Sequence, residues 1–320
     1  MNISTEEKKV VVLTGPTAAG KSDLSIELAK RSGGEIISAD SVQVYRGMDI
    51  GSAKITKEQM QKVPHHLIDI LDPDQPFDAA IFQKLCKEAM EGIYRRGRIP
   101  ILVGGTGFYI QGVLYDIDFT ENDGDMTLRH QLEALSQSPG GPGKLHGMLR
   151  EVDPESASQI HENNVRRVIR AIEFYRQTGQ TMSEHNKKER ARSSPYNFVC
   201  FVLYDDRQVL YDRIDLRVDR MMKQGLVDEV RNLRETGVAR SMTSMQALGY
   251  KEIMDYLDGE ITLDEAVRRI KRDTRHFAKR QLTWFRREKE ITWIHKNEYG
   301  RDDARILDAM LDILGKHGII

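Results

Sequence analysis

The octapeptide Gly15-Pro16-Thr17-Ala18-Ala19-Gly20-Lys21-Ser22 fits the phosphate-binding pattern G-x-x-x-x-G-K-S/T without a mismatch. Such a loop needs glycines so that backbone N–H groups can close on an anion, and the helix that follows adds its dipole. Lys21 then reaches a terminal phosphate, and the Ser22 hydroxyl can hold Mg²⁺. Two further groups could work beside it. Asp40 follows Glu35-Ile36-Ile37-Ser38-Ala39, which reads as a second strand, and Thr106 lies in Gly104-Gly105-Thr106-Gly107 after Ile101-Leu102-Val103. At the carboxyl end of a parallel strand a carboxylate serves as a general base or as a turn cap, and both readings stay open for Asp40. A glycine-rich strand end is common, but beside the first loop it suggests the opposite wall of one site, with Thr106 as a hydroxyl donor.

These residues require strands to carry them. Val10-Val11-Val12-Leu13 is continuously apolar, as a strand buried on both faces must be, and a helix over 22–31 follows with Leu24 and Leu28 one turn apart. A second helix spans 78–96, with Phe82, Leu85, Ala89 and Ile93 on one face and Gly97 as its stop. The alternation of apolar strands with amphipathic helices predicts an α/β protein with a parallel sheet. From Asp116 the composition turns acidic through 125, residues 138–143 form a Pro/Gly-rich loop, and short helices lie between, the best over 164–177. Residues 112–194 therefore read as a helical insertion, with 1–111 and 195–320 forming the core and helical C-terminal part. Phe198-Val199-Cys200-Phe201-Val202-Leu203 returns the chain to the sheet.

Composition bounds the partners. With 39% hydrophobic and 30% charged residues the chain is a globular protein, and with 320 residues it has ample core. The formal net charge of −1 means that any nucleic-acid surface must be a local patch. Cys86 and Cys200 are too few and too far apart for a disulfide framework or a structural zinc site. His65-His66 has no third ligand nearby and reads as structural. No apolar run reaches membrane-span length and residues 1–9 are polar, so a cytoplasmic protein is expected.

Three arginine-rich segments carry the local charge. Arg166, Arg167 and Arg170 lie together on the helix over 164–177, either as a solvated face or as phosphate-backbone contacts. Arg213, Arg217 and Arg220 share one face of a helix over 206–224, either covering a diphosphate or pairing with Asp212, Asp215 and Asp219. Between Arg268 and Lys289 ten Lys/Arg stand against Asp273 and Glu288, on a helix starting at Thr262 and interleaved with Phe277, Trp284 and Phe285. A basic helix with aromatics suits a polynucleotide backbone.

The phosphate loop, the run 38–54, the segment 102–109, His161-Glu162-Asn163 with Arg166-Arg167, Arg213-Ile214 with Arg217, Ala247-Leu248-Gly249-Tyr250-Lys251 and Lys279-Arg280-Gln281-Leu282-Thr283-Trp284-Phe285-Arg286 together resemble the bacterial tRNA dimethylallyltransferases (tRNA isopentenyltransferases). The resemblance runs from Val10 to about Trp293. It implies a P-loop-kinase-like sheet with an inserted domain that grips the anticodon arm. It also implies transfer of a dimethylallyl group from dimethylallyl diphosphate to the exocyclic amine of the adenosine 3′ of the anticodon, in tRNAs reading codons that begin with U. By resemblance, Asp40 is the base, and Lys21, Ser22 with Mg²⁺, Thr17 and Arg217 serve the diphosphate. Thr106, Ser41, Val42 and Gln43 meet the base and its neighbours. Arg129, Arg166, Arg167, Arg170, Gln246, Gly249, Tyr250 and Lys251 contact tRNA, and Lys279, Arg280, Gln281, Trp284 and Arg286 do so from the basic helix. A monomer is expected, with no membrane partner.

Other readings compete. The loop pattern alone marks an ATP-binding, nucleotide-binding site, and a P-loop small-molecule kinase would use Asp40 on an acceptor hydroxyl. A kinase has no need of the basic aromatic helix. A prenyltransferase acting on free adenine nucleotide would not need the insertion's basic face. A non-enzymatic RNA-binding protein would leave Lys21, Ser22 and Asp40 without a role.

Overall fold

The computed structural model describes residues 8–119 and 127–320. Of the polar N-terminal stretch only residues 8 and 9 are thus described, and most of the acidic run, 120–125, lies outside the described residues. The core begins with β1 (Lys9–Thr14), the phosphate loop, α1 (Lys21–Ser32), β2 (Gly34–Ala39) and a two-residue strand β3 (His65–His66). It continues with α2 (Ala79–Arg95), β4 (Ile99–Gly104) and α3 (Gly107–Leu114). A separate unit, Ile117–Ser194, holds α4 (Thr127–Ser136), α5 (Gly141–Val152), α6 (Pro154–Gln159), α7 (Val165–Thr178) and α8 (Met182–Arg190). The core resumes with β5 (Asn197–Tyr204), α9 (Arg207–Lys223), α10 (Leu226–Glu235), α11 (Tyr250–Leu257), α12 (Leu263–Phe285), β6 (Thr292–His295) and α13 (Asp303–Lys316).

All six strands are parallel in the order β3-β2-β4-β1-β5-β6. β1 lies between β4 and β5, with Val11 beside both Ile101 and Val199. The pleat sends alternate side chains to opposite faces. Val10, Val12, Ile37, Ala39, Leu102 and Cys200 enter one core, covered by α2, α3, α9, α10 and α11. Val11, Leu13, Ile36, Ile101, Val199, Phe201 and Leu203 enter the other, covered by α1 and α13. Burial on both faces is why β1 carries no polar alternation.

The expected helix over 78–96 is α2, capped by the Asp78 side chain accepting from Ile81 N–H at 3.0 Å. Its buried stripe is Phe82, Cys86, Met90 and Ile93, with Leu85 and Ala89 at its margin. The start of the insertion moves from 112 to 117, because α3 packs on α2 as part of the core. His65 and His66 form an edge strand. His66 Nε2 meets Glu35 Oε2 at 2.8 Å and His65 Nδ1 meets the Val63 carbonyl at 2.8 Å, a structural use of both rings.

The insertion has its own apolar centre, in which Leu132, Leu145 and Leu149 meet Val168, Ile169, Ala171 and Ile172 of α7. Arg166 and Arg167 stay exposed on α7 and Arg170 is half-buried. Arg129, expected to contact tRNA, is part-exposed and forms a two-pronged pair with buried Glu173, at 2.8 and 2.6 Å. Its fork satisfies a carboxylate that would otherwise be buried unpaired.

Candidate active site

The phosphate loop connects β1 to α1 in a conformation that its glycines permit. Gly15 has φ +137°, and a Cβ there would lie 2.1 Å from the Leu203 carbonyl oxygen of β5. Ala18 also sits in the left-handed region, φ +63°, a strained setting for an L-residue and typical of functional loops. The Lys21 ammonium donates to the Gly15 and Pro16 carbonyls at 2.9 and 2.8 Å. Burial is the main cause that lowers its pKa to about 7; Arg217 adds to the lowering and Asp40 opposes it. The same burial lowers the Arg217 pKa, again opposed by Asp40.

Arg217 Nη1 donates to Thr17 Oγ1 at 3.1 Å, which brings α9 onto the loop. Its expected companions separate. Arg213 pairs with fully buried Asp205 at 3.3 Å, and Arg220 is exposed. The acids proposed as surface partners are used elsewhere, Asp215 by Arg275 and Asp219 by Lys271, while Asp212 accepts from Gln208. Asp205, Asp206 and His295 lie close enough to suggest a cation site, but Arg301 bonds both carboxylates and Arg213 adds a second positive charge.

Asp40, just past β2, accepts from Val42 N–H at 2.8 Å and Gln43 N–H at 3.2 Å, both through Oδ1. It therefore caps a turn and still exerts its charge on Lys21 and Arg217, so the two roles left open are compatible. Ser41 is exposed and Val42 half-buried beside it. Gln43 accepts from Ser38 Oγ at 3.1 Å. Across the same strand ends Thr106 precedes α3 without using its hydroxyl as a cap. Thr14 Oγ1 donates to the Gly104 carbonyl at 2.8 Å and ties this second loop to β1. Ser22, the second residue of α1, is exposed. A single hard oxygen donor beside a phosphate loop suits Mg²⁺, which usually binds one or two protein oxygens together with phosphates and water.

Three residues expected to contact tRNA, Gly249, Tyr250 and Gln281, are buried. Tyr250 is completely buried and donates its hydroxyl to Glu229 Oε1 at 2.7 Å, so it cannot touch RNA. Gly249 is buried too, its N–H held by Glu252 at 2.8 Å as α11 begins. Gln246 is exposed and Lys251 half-exposed next to Glu252. Gln281 is only 6% exposed and faces inward to the phosphate loop. Trp284 is half-buried, stacked edge-on with exposed Phe108 at 6.1 Å.

The basic helix divides in two. Arg268, Arg269, Lys271, Arg272 and Arg275 all pair with acids, among them Glu265, Asp219, Asp273 and Asp215. Among the described residues Lys279, Arg280, Arg286, Arg287 and Lys289 form no ion pair, and all five are exposed. Two supporting groups escaped sequence reasoning. Glu229 accepts the N–H groups of Asp49, Ile50 and Gly51 at 3.0, 2.7 and 3.1 Å, and Asp205 anchors Arg213 and Arg301. No local pattern announces either, since the partners of Glu229 and the Arg301 partner of Asp205 are remote in sequence.

The strand order and the glycine-rich phosphate loop between β1 and α1 define a P-loop-like α/β protein. The family model described as IPP transferase matches residues 43–288, and the chain belongs to that family. It is 56% identical over 311 residues to a tRNA dimethylallyltransferase of Lachnoclostridium phytofermentans, covering 97% of this chain and 99% of that one. It is 49% identical to one of Halalkalibacterium halodurans, covering 97% and 98%. The fold is similar to the crystal structure of a tRNA isopentenylpyrophosphate transferase from Bacillus halodurans, with TM-score 0.72, 46% identity and 98% of both chains covered. It is also similar to a eukaryotic dimethylallyltransferase acting on tRNA, with TM-score 0.77, 33% identity and 90% and 74% covered. No described helix is long and apolar enough to cross a membrane.

Proposed function

We propose that the protein transfers a dimethylallyl group from dimethylallyl diphosphate to the exocyclic amine of the adenosine 3′ of the anticodon in tRNA. The observation that carries this reading is that Asp40 after β2, Thr106 after β4 and the phosphate loop after β1 leave neighbouring parallel strands at the same edge of the sheet. A base and a leaving-group cradle so close together suit one in-line displacement. The amine nitrogen forms a bond to the allylic carbon, and the carbon–oxygen bond to diphosphate breaks with its electron pair leaving on the diphosphate. Asp40 takes the proton of the amine. Loop N–H groups, Lys21 and Arg217 neutralise the charge that grows on the leaving group. Mg²⁺, held by Ser22 and the diphosphate, would supply further charge neutralisation.

The acceptor base must leave its stack to reach Asp40 and Thr106, at a cost of a few kcal/mol. The exposed cations of α12 and the arginines of α7 supply the backbone contacts that offset it. Incubating the protein with labelled dimethylallyl diphosphate and unmodified tRNA, followed by nucleoside analysis, tests the reading. Label confined to the adenosine 3′ of the anticodon is expected. Label on free nucleotide only, or obligatory ATP hydrolysis, would overturn it.

A further inference from the structure

Helix α12 presents Lys279 and Arg280 to solvent, while the next residue, Gln281, turns into the protein. Its Oε1 accepts the Thr17 N–H of the phosphate loop at 2.9 Å, and its Nε2 donates to the Gly105 carbonyl at 3.0 Å. The partners dictate the orientation of the amide, because a backbone N–H only donates and a carbonyl only accepts. Contact with the second loop is close: a Cβ at Gly105 would fall 2.2 Å from Nε2. Thr17 is thus held twice, by Gln281 at its nitrogen and by Arg217 at its hydroxyl.

We propose that Gln281 is a positioning residue that sets the spacing between the diphosphate loop and the Gly105-Thr106 loop, and that through it donor and RNA strengthen each other's binding. This rests on the transfer reading above. The two loops also approach where a Cβ on Gly105 would lie 3.5 Å from the Gly15 carbonyl oxygen, and their strands are tied by Thr14 Oγ1 donating to the Gly104 carbonyl, but neither contact involves a group that also reaches the basic helix. One amide bonds both loops, and its helix carries exposed cations suited to RNA phosphates. Ordering either loop removes freedom from the other through that amide, so the second ligand meets a loop already arranged. Displacements near 1 Å between reacting groups can cost about 10²-fold in rate, so the clip should also be felt in the chemical step.

The test uses the full chain, the unreactive donor analogue dimethylallyl thiodiphosphate, and an anticodon stem–loop RNA. Gln281→Glu keeps an acceptor for Thr17 but faces the Gly105 carbonyl with a carboxylate oxygen; Gln281→Met keeps the volume and removes both bonds. Each ligand's Kd is measured alone and with the other saturating, alongside single-turnover transfer. In the wild type each ligand should tighten the other by at least about fivefold, within the usual range of coupling between sites. In both variants the factor should fall toward one while single-ligand affinities change less than about threefold, and transfer should drop about 10–100-fold. A wild type without coupling, or variants that keep it, would overturn the proposal. So would a transfer loss matched by equal loss of both single-ligand affinities and of Tm, which marks packing alone. If the wild type transfers nothing to RNA the underlying reading fails instead, and coupling between inorganic diphosphate and RNA still judges the clip.

Discussion

Arg217 donates to the Thr17 hydroxyl across 3.1 Å, although 199 positions of chain lie between the two residues. The bond places a guanidinium from α9 against a loop that also carries Lys21, an arrangement that favours a multiply charged anion. Arg217→Ala should lower transfer about 10²–10³-fold, the usual effect of losing one donor to developing negative charge. RNA affinity should hold. Inorganic diphosphate should lose potency as a competitive inhibitor against the donor. An inhibition constant unchanged in Arg217→Ala would remove the arginine from the diphosphate site.

Asp40 combines two jobs that substitution can separate. Its Oδ1 caps the turn at Val42 and Gln43, which an asparagine amide oxygen can also do. Asp40→Asn should therefore fold and bind RNA normally while losing about 10²–10⁴-fold in transfer, as expected for a missing general base. Asp40→Ala should lose the cap as well, and its Tm should fall below that of Asp40→Asn. Transfer by Asp40→Asn within a few-fold of wild type would assign Asp40 to the turn alone.

The two substitutions also mark where sequence reasoning succeeds. β1 and β4 are legible because double burial forces nearly continuous apolar runs, and the phosphate loop because its glycines answer local backbone demands. Tyr250 and Gly249 were misplaced on the surface because a motif reports that residues matter and not which way they face. The charge excess from Arg268 to Lys289 was overestimated for a related reason. Asp215 and Asp219 lie on α9, more than fifty residues away in sequence, and only the packing of α9 on α12 brings them to Arg275 and Lys271. Gln281 sat inside a legible motif, yet its partners Thr17 and Gly105 lie on loops that no periodicity connects to it.

Lys21 supplies a pH signature. Its pKa of about 7 in the folded protein lies below its ordinary 10.5, so between those values the unfolded chain keeps a proton that the folded chain has released. Through this group stability rises with pH across that window, and the buried ammonium costs stability below pH 7. Donor binding has the opposite preference, because the diphosphate needs the charged lysine. The donor Kd should increase as pH rises above about 7, with proton uptake on binding measurable by calorimetry in buffers of different ionisation enthalpy. In Lys21→Arg, whose guanidinium stays charged, the dependence should flatten. A donor Kd independent of pH from 6 to 9, taken as roughly one unit below to two above that pKa, would show that Lys21 does not face the diphosphate.

The divided basic helix makes a sharper claim about RNA affinity than a uniform patch would. Each phosphate neutralised contributes roughly 0.7–0.9 to the slope of log affinity against log salt. Arg280 is exposed and unpaired among the described residues, whereas Arg272 bonds Asp273 through both arms at 2.8 and 3.2 Å. Arg280→Ala should therefore reduce the slope by about one contact and raise the apparent KM for tRNA while the donor KM stays put. Arg272→Ala should leave the slope nearly unchanged, since its charge is already balanced. Arg167→Ala, on exposed α7, should behave like Arg280→Ala if the insertion also grips the RNA. Salt titrations of tRNA binding by the four proteins decide among these outcomes. Equal slopes in wild type and Arg280→Ala would reduce the end of α12 to a solvated face, and a large change in Arg272→Ala would show that its pair with Asp273 opens to receive a phosphate.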